Sequence, residues 1–164
     1  MHAMRRFVES DWPVVWPLLR TTFAAGDTYP FTPESTEPEI QRFWIELPAA
    51  TFVCCSPEGA LLGTYFLRPN QPGLGSHVCN AGYVTAPESR GQGVATAMCT
   101  HSQVEAVAMG FRAMQFNLVV ATNEGAVRLW NALGFATVGR LPKAFHHQRL
   151  GYVDALVMYK HLVP

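Results

Sequence analysis

Val84-Thr85-Ala86-Pro87-Glu88-Ser89-Arg90-Gly91-Gln92-Gly93-Val94-Ala95 places a glycine-bearing turn between an apolar extended run and a long amphipathic segment. Gly91 and Gly93 let the backbone curl tightly and approach a ligand without side-chain obstruction. The helix expected to follow offers unpaired N–H groups and the positive end of its dipole, so the turn binds an anion with main chain alone. Arg90 adds a guanidinium suited to phosphate. Strand, turn and helix in this order point to an α/β fold with a diphosphate site at the turn.

Two common glycine loops do not fit. A Walker loop needs Lys and then Ser or Thr after its last glycine, and Val94 and Ala95 stand there. The dinucleotide fingerprint finds two of its small positions in Gly91-Gln92-Gly93-Val94-Ala95-Thr96, but Thr96 fills the third. No acidic residue follows about twenty positions on to hold a ribose, the nearest being Glu105 and Glu124. The remaining pattern is Arg-x-x-Gly-x-Ala, met by Arg90, Gly93 and Ala95, with Asn123-x-x-Ala126-x-x-Leu129-Trp130-x-x-x-Gly134-Phe135 starting 30 positions after Gly93. Together these resemble the acetyl-coenzyme A loop and the later motif of the GCN5-related N-acetyltransferases, from Arg5 to Leu162. One position departs: the family usually has Tyr where this chain has Trp130.

The resemblance implies one domain over residues 1–164. Its centre would be a mixed, mostly antiparallel sheet of about seven strands, with a parallel pair at the cofactor cleft and about four helices. Bulk properties agree with one small enzyme. A chain of 164 residues builds one core and is too short for two ordinary domains. With 12 basic and 12 acidic side chains it is formally neutral, so it lacks the electrostatic footprint of a nucleic-acid binder. No run of about eighteen apolar residues is present for a membrane span. After Arg5-Arg6, Glu9, Asp11 and Pro13 stand where an export signal needs an apolar stretch. Cys54, Cys55, Cys79 and Cys99 form no Cys-x-x-Cys pair and read as buried thiols of a cytoplasmic protein, with no metal site.

Along the chain, Met4 to Val8 reads as a strand, and Ser10 caps a helix to about Ala25, ended by Gly26. Asp27 to Pro33 is a loop with projecting aromatics. Glu37 to Leu47 has helical spacing. Thr51–Ser56 and Ala60–Leu67 form a hairpin through Pro57-Glu58-Gly59. Arg68 to Ser76 reads as a flexible connection, and His77 to Val84 delivers the glycine turn. Val94 to Met109 is a helix. Met114 to Val120 is a strand with Met114, Phe116, Leu118 and Val120 on one face. The succession makes a right-handed parallel crossover. Asn123 caps a further helix ending at Gly134. Phe135–Val138 and Val153–Leu162 close the sheet as an antiparallel pair with a long connection.

The resemblance also implies roles. The strand ending at Tyr83, Val84 and Thr85 pairs its backbone with the pantetheine arm, and a main-chain N–H near Val84 polarises the thioester oxygen. Arg90, Gly91, Gly93, Val94, Ala95 and Thr96 hold the diphosphate. Asn123 contacts the cofactor near its sulfur, or is a plain helix cap, or divides the two roles between side chain and backbone. Trp130 sits at the cofactor where the usual Tyr returns a proton, and an indole N–H does not ionise usefully. Tyr29, Tyr152 and Tyr159 are the alternative acids by chemistry. No Asp or Glu lies between Glu58 and Glu88 to serve as base, and the strand carries His77 and Asn80 instead.

Asn80 and Asn117 stand in otherwise apolar strands, where an amide is costly without a partner. Either they tie neighbouring backbone together, or they point into the acceptor cleft and hold a polar substrate. Asn80-x-Gly82-Tyr83-Val84, Phe116-Asn117-Leu118-Val119 and Leu129-Trp130-Asn131 followed by Leu133-Gly134-Phe135 resemble the acetyltransferases that detoxify proline analogues such as azetidine-2-carboxylate, and favour the second. Tyr29 and Phe31 would shape that pocket. Lys143 to Arg149, the clustered basic patch, attracts a carboxylate or coenzyme phosphates, or is a solvated loop or dimer contact. Three functions follow: acetyl-coenzyme A-dependent acetylation of a small amine or amino or imino acid, by a monomer or homodimer; acetylation of a protein or peptide α-amine; and coenzyme A binding without turnover.

Overall fold

The computed structural model describes residues 2–164. Seven strands form one sheet: β1 (Ala3–Arg6), β2 (Ala50–Cys55), β3 (Leu61–Pro69), β4 (Val78–Thr85), β5 (Ala113–Val120), β6 (Ala136–His147) and β7 (Gly151–His161). Their order is β1-β2-β3-β4-β5-β7-β6, and every neighbouring pair is antiparallel except β4 with β5. Four helices cover it: α1 (Trp12–Ala24), α2 (Glu37–Gln41), α3 (Val94–Ala108) and α4 (Glu124–Ala132).

Period-two alternation decides what each face buries. Phe52, Cys54, Tyr65, Leu67, Cys79 and Ala81 pack with Val94, Met98 and Cys99 of α3 and Trp130 of α4. Their neighbours Val53, Cys55, Phe66 and Val84 pack with Leu19, Phe23, Ile40 and Trp44 on the other face. All four thiols are free and buried.

Several local readings need correction. Ser10 does not cap α1: the helix starts at Trp12 behind a 3₁₀ turn, and the Asp11 carboxylate accepts from the Val8 N–H at 2.9 Å and pairs Arg5 at 2.7 Å. Glu37 to Leu47 is not one regular helix, because α2 passes into a π-turn over Arg42–Glu46 closed by Leu47 N–H on the Arg42 carbonyl at 2.9 Å. The last two strands are longer than alternation suggested and form a hairpin. β6 reaches His147 and pairs β7 down to Gly151, so Lys143–His147 is strand, and Gln148, Arg149 and Leu150 make the turn. β6 is an edge strand exposed over most of its length, so it lacks the apolar alternation that marks a half-buried strand. In β5, an extra residue between Phe116 and Val119 bulges the strand and puts Val119, not Leu118, on the core face with Met114 and Phe116.

β4 and β5 pair only at Val78 with Ala113 and Cys79 with Met114, then part. The sheet thus opens as a wedge, with the glycine turn and α3 at its wide end.

Candidate active site

The wedge is a cleft of about 940 Å³, within the range of small-ligand sites. At its wide end the turn behaves as the glycines require. Gly91 and Gly93 have φ of +75° and +78°, left-handed values that other residues rarely adopt, and Gly93 is the residue from which α3 starts. Among the described residues, the N–H groups of Gly91, Gly93, Val94, Ala95 and Thr96 have no acceptor, and all five residues line the cleft. A Cβ placed at either glycine would meet nothing within 4 Å, so the space above the turn is open. Arg90 lines the same end. Five unspent donors, a helix dipole and a guanidinium fit a diphosphate.

Main-chain direction in β4 follows from its pairing with β3. Asn70 donates to the Val78 carbonyl and Ala86 to the Leu62 carbonyl, each at 2.8 Å, with unbroken register between. Even-numbered residues of β4 therefore turn N–H and C=O toward β3, and odd-numbered ones toward the gap. Val84, buried against α1 and α2, has its N–H spent on β3. The donors facing the gap belong to Ala81, Tyr83 and Thr85.

Asn80 stands at the crotch of the split. Its Nδ2 donates to the Gln115 carbonyl of β5 at 3.0 Å, holding the strands together where the ladder ends. Asn117 lies on the bulge, where an extra residue re-aims the chain. Its Nδ2 donates to Asn70 Oδ1 at 2.7 Å, and its Oδ1 accepts from Gln115 Nε2 at 2.9 Å. Asn80 and Asn117 thus meet in one amide network that also contains Gln115 and Asn70, and Asn70, Asn80 and Asn117 line the cleft.

The loop after α1 forms the facing wall. Tyr29 donates from its hydroxyl to the Tyr83 carbonyl at 3.0 Å, and its ring packs on Phe23 and Trp44. Gly82 makes this crossing feasible, since a Cβ there would stand 2.6 Å from Phe66 Cε1 and 3.0 Å from the Tyr29 oxygen. Burial pushes the Tyr29 and Tyr83 phenols far above their ordinary value, so both stay protonated. Phe31 lies outside the lining, its ring against Phe23 and Phe43. Thr28 lines the cleft with its Oγ1 buried and unpartnered, alone in this among buried side-chain oxygens and nitrogens of the described residues.

Asn123 spends its Oδ1 on the Ala126 N–H of α4 at 3.3 Å while lining the cleft, so cap and cleft positions coincide. Trp130 packs between Tyr83 and Phe116, with ring centres 5.2 Å and 5.1 Å away. His77, Tyr152 and Tyr159 do not line the cleft. Among the described residues, no Asp, Glu, His, Lys or Cys occurs in the lining. Among the described residues, no three His, Cys, Asp or Glu side chains are grouped to hold a metal.

Arg68 and Asn70 were missed in the sequence. β3 runs through Pro69, so Arg68 is a strand residue opposite Asn80, on the same face. Its guanidinium sits 5.5 Å over the Phe43 ring, and the π-turn fixes that ring's neighbour: Trp44 donates from Nε1 to Thr64 Oγ1 at 3.1 Å.

Residues 12–135 match the Acetyltransferase (GNAT) family. The chain belongs to that family. As a GNAT member it is an N-acetyltransferase. N-acetyltransferase aca1 of Schizosaccharomyces pombe is 31% identical over 156 positions, covering 83% of this chain and 73% of that protein. The structure of a GCN5-related N-acetyltransferase from Kribbella flavida is 40% identical with a TM-score of 0.92, covering 98% of this chain and 97% of that one. A phosphinothricin acetyltransferase from Sinorhizobium meliloti, solved with acetyl-coenzyme A, shares the fold at 20% identity and a TM-score of 0.86, over 99% of this chain and 89% of that one.

Proposed function

We propose that this GNAT domain, residues 1–164, transfers the acetyl group of acetyl-coenzyme A to the amine of a small amino or imino acid. One observation carries the reading: a split cleft joins a nest of unspent amides at its wide end to an uncharged amide network at its crotch, with no carboxylate anywhere in its lining. A basic peptide or polyamine would find no countercharge there. The S. meliloti complex supports the cofactor, and the five open N–H groups are its anchor here. Four free, buried thiols support a reducing compartment, the cytoplasm.

Acetyl-coenzyme A, when bound, supplies a thioester carbonyl open to amine attack. The N–H groups of Tyr83 and Thr85 face the gap and are the donors available to the developing oxyanion. Tyr29 ties the acceptor wall to β4 through the Tyr83 carbonyl. Asn80 and Asn117 orient the acceptor through amide atoms their network leaves free. With no titratable base in the lining and both phenols held protonated, the acceptor amine loses its proton to water before attack, and proton return is also through water.

A thiol-release assay with acetyl-coenzyme A over small amines, cyclic imino acids and peptides tests this. Release with an imino acid, lost in Asn117→Ala while coenzyme binding persists, is the expected result. Release only with peptides, or thermal stabilisation by coenzyme A without release for any acceptor, contradicts it.

A further inference from the structure

We infer that Arg68 is the residue that selects the acceptor, by gripping its carboxylate. The inference rests on the transferase reading just given and adds the residue that reads the acid group of the acceptor. Arg68 is half-buried and lines the cleft, yet among the described residues its guanidinium has no hydrogen-bond acceptor and no carboxylate partner. The four ion pairs among the described residues lie elsewhere. Its one fixed contact is the face of Phe43, which sets the plane of the fork without using any of its five N–H donors.

The surroundings fit a carboxylate. Asn80, directly across the strand pair, shares the face of Arg68. Asn70 and Asn117 are held to each other at 2.7 Å, so their free N–H donors are fixed in direction before a ligand arrives. Thr28 contributes an unpartnered hydroxyl from the facing wall. Planar forked donors match a carboxylate in two parallel hydrogen bonds.

Arg68 does not serve the coenzyme phosphates. From Asn80, its cross-strand partner, to Thr85 before the glycine turn is five residues, about 16 Å of strand. Phosphates at the turn would lie beyond its reach, and Arg90 is the guanidinium lining that end. The amine of a compact α-amino or α-imino acid stands one carbon from its carboxylate, so a grip at Arg68 aims the amine along the split toward the Tyr83 and Thr85 amides.

The test compares a cyclic imino acid with its carboxamide as acceptors, in the native protein and in Arg68→Gln. The acid-over-amide preference in kcat/KM falls roughly 10- to 100-fold in the variant, through KM of the acid, with the coenzyme A dissociation constant unchanged. Comparing ratios cancels the different basicities of the two amines. Arg68→Lys restores part of the preference, because charge survives and the fork does not. Calorimetry with coenzyme A present reads the same preference without turnover. A preference retained in Arg68→Gln, or absent from the native protein by both readouts, overturns the inference. Binding preference for the acid without acetyl transfer would instead sink the transferase reading and leave the anion grip standing.

Discussion

Substituting Gly93 by alanine separates backbone strain from ligand contact, because Gly110 supplies a control. Gly93 has φ of +78° and Gly110 of +91°, and an added Cβ meets nothing within 4 Å at either. Each alanine variant therefore pays only the left-handed penalty of about 1–2 kcal/mol in stability. For a chain of this length that lowers the melting temperature by about 2–8 °C in both. Only Gly93 lines the cleft, where it is one of five residues whose N–H groups are open, so its Cβ would stand on the side a diphosphate must approach. Pushing a diphosphate off one or two of them, at about 1.5–3 kcal/mol for a bond to a charged group, weakens coenzyme A roughly 10- to 100-fold. Calorimetric titration of both variants gives the answer directly. Equal coenzyme affinities in Gly93→Ala and Gly110→Ala, at equal loss of melting temperature, would refute the anion nest.

Since no lining residue titrates near neutrality, kcat/KM should rise tenfold per pH unit up to the pKa of the acceptor amine, and His77→Ala should not alter the profile; a plateau near pH 6–7 in the native protein would reveal an enzyme base. Burial raises the native pKa of Tyr29, Tyr65 and Tyr83 above the unfolded value of about 10, so their stabilising share is intact below that pH and is lost as pH rises through the native values. On the alkaline side, melting temperature should therefore hold up to about pH 10 and fall above it, whereas all five tyrosines ionising there without unfolding would contradict it. Burial likewise holds the Cys54 thiol up to about 11 and Cys79 up to about 12, so neither should react with a thiol reagent at pH 8 until the protein unfolds. Tyr29→Phe strands the Tyr83 carbonyl and should cost about 1 kcal/mol of stability and raise acceptor KM more than coenzyme KM; a change confined to the coenzyme would put Tyr29 at the wrong end of the cleft.

The end proposed to hold the coenzyme is legible in the sequence because the proposed role is carried by backbone, and backbone conformation is written in glycines. Gly91, Gly93 and the capping Asn123 each require a particular geometry that few other residues satisfy. The acceptor end is assembled from three strands and a loop, and its parts look ordinary one at a time. Arg68 stands beside Pro69 and Pro72, and these prolines make it read as the start of a flexible connection, although β3 carries it into the cleft. The bulge at Asn117 and Leu118 has no sequence mark, since both alternations around it look regular. The motif points to Val84, but only register with β3 shows that its amide faces away and that Tyr83 and Thr85 face the gap.

A crystal structure with coenzyme A bound tests the central claim most directly. Diphosphate oxygens should lie about 2.7–3.2 Å from the main-chain nitrogens of Gly91 and Gly93 to Thr96, with the thiol in the split beside Tyr83 and Thr85. A diphosphate held by side chains elsewhere, or a pantetheine arm outside the gap between β4 and β5, would contradict it.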